Sequence, residues 1–127
     1  METATKRCVV RVFLVDDNHF LLEGLTFLLK RQGDFEVVGV SPRGKGLFRR
    51  LTKVRPDVVL LDVCLGDSDG IAVLQRIRGE LGIPVVMMSV YEEYREQAIK
   101  SGAFAYVLKG GDPQELYHIL REAARKK

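Results

Sequence analysis

Five short apolar runs, each followed by a longer amphipathic segment, restrict what this 127-residue chain can become more than any other of its properties. The runs are Val9–Val15, Glu36–Val40, Val58–Leu61, Val85–Met88 and Phe104–Leu108. Their near-continuous apolar character is that of strands covered by helices on both faces, whereas strands with one wet face alternate. The segments between them carry helical spacing. Leu21, Leu25, Leu28 and Leu29 form the first stripe, with Gly33 placed to end the helix. Leu47, Leu51 and Val54 form the second, after Pro42 and before Pro56, and Ile71, Leu74, Ile77 and Leu81 form the third, which begins at Gly70. The fourth, Glu92–Lys100, has only Tyr94, Ala98 and Ile99 to pack. The fifth opens on Asp112-Pro113, an N-cap followed by proline at the first helical position, and sets Leu116, Ile119, Leu120 and Ala123 on one face. Five β-α units in succession predict an α/β fold, a doubly wound five-stranded parallel sheet with five helices and right-handed crossovers. A closed eight-fold barrel needs about twice this length. No linker, repeat or low-complexity stretch divides the chain, so residues 1–127 are expected to form a single domain with its core at about 9–125.

Apolar residues make up 46% of the chain and charged residues 29%, enough for a core that needs neither disulfides nor metal. Cys8 and Cys64 form no disulfide framework and no metal spacing, and a reducing cytoplasmic compartment is the expected setting. No apolar run approaches the ~20 residues that span a bilayer. Residues 1–7 lead into a strand without a small-residue cleavage site, so neither a signal peptide nor a membrane partner is expected. The net charge of +3 is unevenly placed, since Arg43–Arg55 holds six basic residues and no acid. That stretch reads first as a solvated helix face and second as a docking surface for an acidic partner. It lacks interleaved aromatics and a helix-turn-helix pattern, so direct nucleic-acid binding by this segment is not expected.

In an open α/β sheet, ligands bind beyond the carboxyl ends of the strands, where the strand order reverses. Asp16 and Asp17 follow the first run, Asp62 the third, Ser89 the fourth and Lys109 the fifth, so four of the five strands deliver polar groups to one edge. If the first and third strands are neighbours, the three carboxylates converge and repel one another unless a cation neutralises them. Mg²⁺ suits such a cluster, because it binds through one or two carboxylates and keeps room for water and phosphate oxygens. An Asp-Asp pair by itself reads as solvated loop acids, and a lone lysine as a solvent-facing cation. The combination fits phosphoryl transfer to an aspartate nucleophile, Asp62, with Mg²⁺ and Lys109 offsetting charge on the transferred group.

The set Val15-Asp16-Asp17-Asn18, Asp57–Asp62, Asp69-Gly70, Ile83-Pro84-Val85, Ser89 and Ala105–Lys109, in this order and spacing, resembles the receiver domain of bacterial two-component response regulators from Arg11 to Ala124. The resemblance implies a flavodoxin-like sheet of order 2-1-3-4-5, an order for which a receiver is a standing example. It implies that Asp62 is the phosphoacceptor, and that Asp17, Asp62 and the backbone carbonyl of Cys64 ligate Mg²⁺, with Asp16 acting through water. Lys109 is then the bridge between carboxylate and phosphoryl oxygens, Ser89 a hydrogen-bonding partner of the phosphoryl group, and Tyr106 a switch that turns inward behind it. The face formed by the fourth helix, fifth strand and fifth helix then binds a partner or a second copy, giving a phosphorylation-dependent homodimer. The expected donor is a histidine kinase or phosphotransfer protein. The domain assists its own phosphorylation and dephosphorylation and is not a turnover enzyme. Phe35–Gly39 and Tyr106–Gly110 followed by Asp112–Leu116 are most similar to the branch whose members carry a C-terminal helix-turn-helix, which this sequence does not contain, so the expected output is transcription.

Four positions leave the family's pattern. Leu65-Gly66 stands where Met-Pro is usual, which is expected to loosen the loop after Asp62. Gly110-Gly111 follows Lys109 where a proline is common, which is expected to make that turn less rigid. Val90 replaces a frequent alanine and is expected to narrow access to the phosphoryl group. Lys45-Gly46 opens the second helix, which is expected to be short or irregular. Asp69 is expected to cap the third helix, Cys64 to have no basic neighbour that would activate its thiol, His19 to stand at a helix start, and His118 to be exposed. Two readings compete with the phosphoryl switch: a phospho-independent interaction module with a decayed site, and a stand-alone phosphorelay intermediate. An aspartate-based phosphatase is disfavoured, because Asp62-Val63-Cys64 lacks the second acid of the Asp-x-Asp such enzymes use, and no Walker-type loop is present.

Overall fold

The computed structural model describes residues 8–126, so the lead-in at residues 1–7 lies outside the described residues. Five parallel strands, β1 (Val10–Val15), β2 (Phe35–Ser41), β3 (Val58–Asp62), β4 (Val85–Ser89) and β5 (Ala105–Leu108), form one sheet in the order 2-1-3-4-5. The helices are α1 (His19–Gln32), α2 (Leu47–Val54), α3 (Gly70–Arg76), α4 (Arg95–Lys100) and α5 (Pro113–Arg125). A two-stranded antiparallel ribbon, Cys64–Leu65 with Ser68–Asp69, stands between β3 and α3.

Strand periodicity sorts the core into two layers. Phe13, Val15, Val59, Leu61, Val85 and Met87 face one side, packing with Leu47 and Leu51 of α2 and Leu74 of α3. Val12, Leu14, Val58, Leu60, Val86 and Met88 face the other, against Leu22, Leu25 and Leu29 of α1 and Tyr117, Leu120 and Ala123 of α5. β3 and β4 are buried along their whole length. That is why those runs are apolar until their carboxyl ends, where the first polar side chains, Asp62 and Ser89, come.

Several local expectations hold and several need correction. Gly33 ends α1, Asp69 caps α3 by accepting from Ile71 N at 3.0 Å, and Asp112 caps α5 by accepting from Gln114 N at 2.9 Å. The α1 stripe is displaced by one residue at its start. Leu22, Leu25 and Leu29 are buried, while Leu21 is half-buried and Leu28 exposed. The last two line a groove towards Leu116 and Tyr117 of α5 instead of facing the sheet. α2 is short, and Gly46 lies before it with φ +79, a left-handed position that glycine takes without steric cost. The helix ends on Arg55, also left-handed at φ 51, because Pro56 blocks continuation. Arg11 donates to the orphan carbonyls of Arg55 at 2.8 Å and Val54 at 3.1 Å.

The third helical segment does not run as one helix to Leu81. Its last turn, Ile77–Leu81, is π-helical and closes through Gly82 N to Ile77 O at 3.0 Å. The fourth is split into a 3₁₀ turn, Glu92–Tyr94, and α4, which buries Ala98 but leaves Ile99 exposed. With so few apolar residues, that segment can turn only one narrow edge inward. On α5, Leu116 and Ile119 are half-buried and Tyr117 is the deep anchor, its ring 6.1 Å from that of Phe35.

A candidate acidic pocket at the carboxyl edge of the sheet

Because β1 and β3 are hydrogen-bonded neighbours, their carboxyl ends bring Asp16, Asp17 and Asp62 together. One carboxylate oxygen from each lies within 4.8 Å of the others. Asp16 and Asp62 are buried at 0% and 4% exposure, and Asp17 is exposed at the mouth. Lys109, carried in by β5, reaches back over the sheet. Its Nζ is 2.7 Å from Asp16 Oδ2 and 3.0 Å from Asp62 Oδ2. Only the second contact is aligned as a hydrogen bond, so buried Asp16 Oδ2 is held by charge with no donor in line. The other oxygens are better satisfied: Asp16 Oδ1 accepts from Asn18 N at 2.8 Å, and Asp62 Oδ1 from Cys64 N at 3.1 Å.

Burial pushes the Asp62 carboxyl above its usual range and the nearby Asp16 adds to this, against the opposing pull of Lys109 and the Cys64 N–H. Burial alone would lower the Lys109 ammonium, but its two carboxylate neighbours outweigh that and hold its pKa above the ordinary lysine value. With the groups ionised, three carboxylates against one ammonium leave two negative charges. That excess, the hard oxygen donors and the unsatisfied Asp16 oxygen fit a divalent cation such as Mg²⁺. Asp16, Asp17 and Asp62 are the side chains that could hold it. Cys64 is exposed and free, and its thiol is pushed up by partial burial and by the Asp62 carboxylate, as expected for an unactivated cysteine.

The remaining expected residues gather on the β4–β5 side. Ser89 is buried, and its Oγ accepts from Tyr91 N at 3.0 Å. Tyr106 is also buried, at 3% exposure, and its hydroxyl donates to Tyr91 O. The Arg95 guanidinium covers its ring at 5.1 Å and donates to Tyr106 O at 2.9 Å, while pairing with Glu92. No local sequence signal marks this cover, since Arg95 is one of three charged residues in the six of α4. Val90 is 62% exposed. His19 stands exposed at the first turn of α1, beside Glu23, and His118 is exposed on α5.

Both glycine-bearing loops carry hydrogen bonds that tie them down in this structure. Gly66-Asp67 forms the two-residue turn of the ribbon after Asp62. The Asp67 carboxylate accepts from Gly44 N at 2.9 Å and Lys45 N at 3.0 Å, contacts that hold its pKa below the usual range. After Lys109, Gly111 N donates to Leu108 O at 3.3 Å, and Gly110 takes φ +83 at the position where a type II turn uses glycine.

A family model for the response regulator receiver domain matches residues 12–121. Among curated proteins, response regulator protein VraR of Staphylococcus saprophyticus is 30% identical over 116 residues, which cover 89% of this chain and 56% of that protein. Transcriptional regulatory protein YdfI of Bacillus subtilis is 26% identical over 117 residues, 91% of this chain and 55% of that one. The chain thus spans about half the length of the curated relatives it matches. Among solved structures, the signal receiver domain of the NarL response regulator from Mycobacterium tuberculosis superposes with a TM-score of 0.86 at 28% identity, covering 94% of this chain and 99% of that one. A LuxR-family two-component response regulator from Aurantimonas also reaches 0.86, at 26% identity, covering 94% and 87%.

Proposed function

The chain belongs to the response regulator receiver domain family, and on that premise we propose that Asp62 accepts a phosphoryl group and thereby switches a binding surface. The observation that carries this reading is Lys109 Nζ lying between Asp16 and Asp62 inside a three-carboxylate pocket. An Asp62 oxygen forms the bond to phosphorus as the bond from phosphorus to the donor breaks, and the electron pair leaves with the donor. Lys109 offers ammonium hydrogens to the phosphoryl oxygens while remaining beside Asp62. Ser89 accepts the Tyr91 N–H and lies within reach of the Tyr106 hydroxyl, so its own hydroxyl hydrogen would turn from Tyr106 to donate to the same group. Asp17, Asp62 and the Cys64 carbonyl would hold Mg²⁺, with Asp16 acting through water, and the bound ion would supply further positive charge there. Tyr106, whose hydroxyl lies at Tyr91 two residues from Ser89, relays the change to the surface of α4, β5 and α5.

The donor is a histidine kinase or phosphotransfer protein in the cytoplasm, and the switched surface takes a partner or a second copy. Among the described residues no helix is long and apolar enough to cross a membrane. The output is transcription, through a segment beyond this one, a reading supported by relatives named as regulators that are about twice as long. The test is incubation with Mg²⁺ and phosphoramidate or acetyl phosphate. Mass spectrometry is expected to find one phosphoryl group, on Asp62 and absent from Asp62→Asn. No gain by protein that demonstrably binds Mg²⁺ would refute the reading.

A further inference from the structure

The ribbon after Asp62 and the loop between β2 and α2 are clasped beside the pocket by contacts between residues 22 and 23 positions apart in sequence. Asp67 supplies the polar half of the clasp, one carboxylate oxygen to each of the Gly44 and Lys45 N–H groups. Gly44 supplies the steric half. A Cβ there would fall 2.4 Å from Ser68 Oγ and 2.8 Å from Ser68 Cβ, so the Ser68 side chain packs directly on the Gly44 backbone and a larger residue at 44 would push it away. From Gly44 the connection runs on to β1. Ser41 Oγ donates to Arg43 O at 2.8 Å, and Ser41 O accepts from Asp16 N at 3.1 Å. On the other side of the ribbon, Gly66 adjoins Asp17, with a Cβ at that position coming 3.6 Å from Asp17 Oδ2. One half of the pocket rides on β1 and the other on β3, and this clasp joins them above the sheet.

We propose that Asp67 is a positioning residue for the acidic pocket: by clamping the β2–α2 loop to the ribbon, it sets the oxygens carried by β1 against those carried by β3, and so controls cation affinity without touching the cation. The inference rests on the reading of Asp16, Asp17 and Asp62 as a Mg²⁺ site. It also assigns a function to the turn where this chain has Gly66-Asp67 and no proline. The carboxylate fixes the loop from outside, a task that a ring could perform from within.

The experiment is Mg²⁺ titration by calorimetry at 0.1 M and 1 M KCl, with melting temperature and amide exchange of residues 64–69 measured without Mg²⁺. Supporting groups outside the ligand shell typically set metal affinity by 10-fold or more, so Asp67→Ala is expected to weaken binding roughly 10-fold. Asp67→Asn, which keeps one acceptor oxygen, is expected to lose less. Exchange at residues 64–69 is expected to quicken while the melting temperature barely moves. Simple loss of negative charge is separated by salt, because the screening length falls from about 10 Å to about 3 Å between the two conditions. Gly44→Ala breaks the clasp without changing charge and is expected to weaken Mg²⁺ binding as well, and adding Ser68→Gly, which removes the clash, is expected to restore it. Asp67→Ala binding within about twofold of the parent, or a deficit that vanishes at 1 M KCl, overturns the proposal. If the parent protein itself takes up no Mg²⁺, the reading of the pocket falls first and this inference with it.

Discussion

Replacing Gly70 by alanine puts one methyl group against the backbone that carries the proposed phosphoacceptor. The new Cβ would stand 2.4 Å from Val63 O, 2.5 Å from Asp62 O and 2.8 Å from Val63 C. All three are main-chain atoms, so no rotamer change relieves the contact. Either the start of α3 or the end of β3 must move by several tenths of an ångström, which also stretches the 2.9 Å bond from Gly70 N to Val63 O. Overpacking of this kind costs typically ~1–3 kcal/mol. Alanine returns up to ~1 kcal/mol through its better helix propensity. The net expectation is a loss of about 1–2 kcal/mol, or roughly 4–8 °C in melting temperature for a domain of this size. The displaced carbonyl is that of Asp62 itself, so phosphorylation by phosphoramidate is expected to slow by an order of magnitude or more. Gly24→Ala is the matched control. Gly24 lies in the exposed interior of α1 with nothing within 4 Å of its added Cβ, and the same chemical change there is expected to stabilise by about 0.5–1 kcal/mol. Urea and thermal melts followed by circular dichroism, with timed phosphorylation, measure both effects. If Gly70→Ala melts with the parent and is phosphorylated at the same rate, the steric reasoning is wrong.

Two further outcomes follow from the pocket and its cover. Folding raises the Asp62 pKa, so the folded state holds that proton more tightly than the unfolded chain, where the carboxyl titrates near 3.8. Stability from this group is therefore lost as pH rises from about 4 through the folded pKa. Without divalent cations, Asp62→Asn should gain stability relative to the parent between acidic and neutral pH, and urea midpoints that keep a constant difference across that range would contradict it. Arg95→Ala removes both the cation over the Tyr106 ring and the bond to its carbonyl, together about 1 kcal/mol. The ring should become more reactive to nitration, and unchanged reactivity would mean that packing and the hydroxyl bond to Tyr91 hold it unaided.

The pocket was legible because the acids follow apolar runs that can only be buried strands, and their chemistry is concentrated where those strands end. Asp69, Asp112-Pro113 and Gly33 were legible as helix boundaries for the same local reason: capping depends on residue types within a few positions. The stripe of α1 is not resolved by the sequence, because leucines at 21, 22, 25, 28 and 29 overfill one face, and only the contact with the sheet decides which of them turn inward. The burial of Tyr117 is not legible in the sequence, because it packs near Phe35, 82 positions away. The hydrogen bonds that hold the Gly66 and Gly110 turns were not legible, because those at Gly66 come from elsewhere in the fold and those at Gly110 from turn geometry.

By itself, then, the sequence determined the alternation of strand and helix, the helix caps and the identity of the groups at the sheet edge, all of which depend on neighbours close in the chain. Tertiary structure alone decided that Lys109, expected at Asp62, also reaches Asp16, that Arg95 covers Tyr106, and that Asp67 reaches Gly44. Those contacts exist because the 2-1-3-4-5 order brings distant strand ends and their loops within hydrogen-bonding reach. Nothing in the spacing of residues along a chain encodes which loops will meet above a sheet.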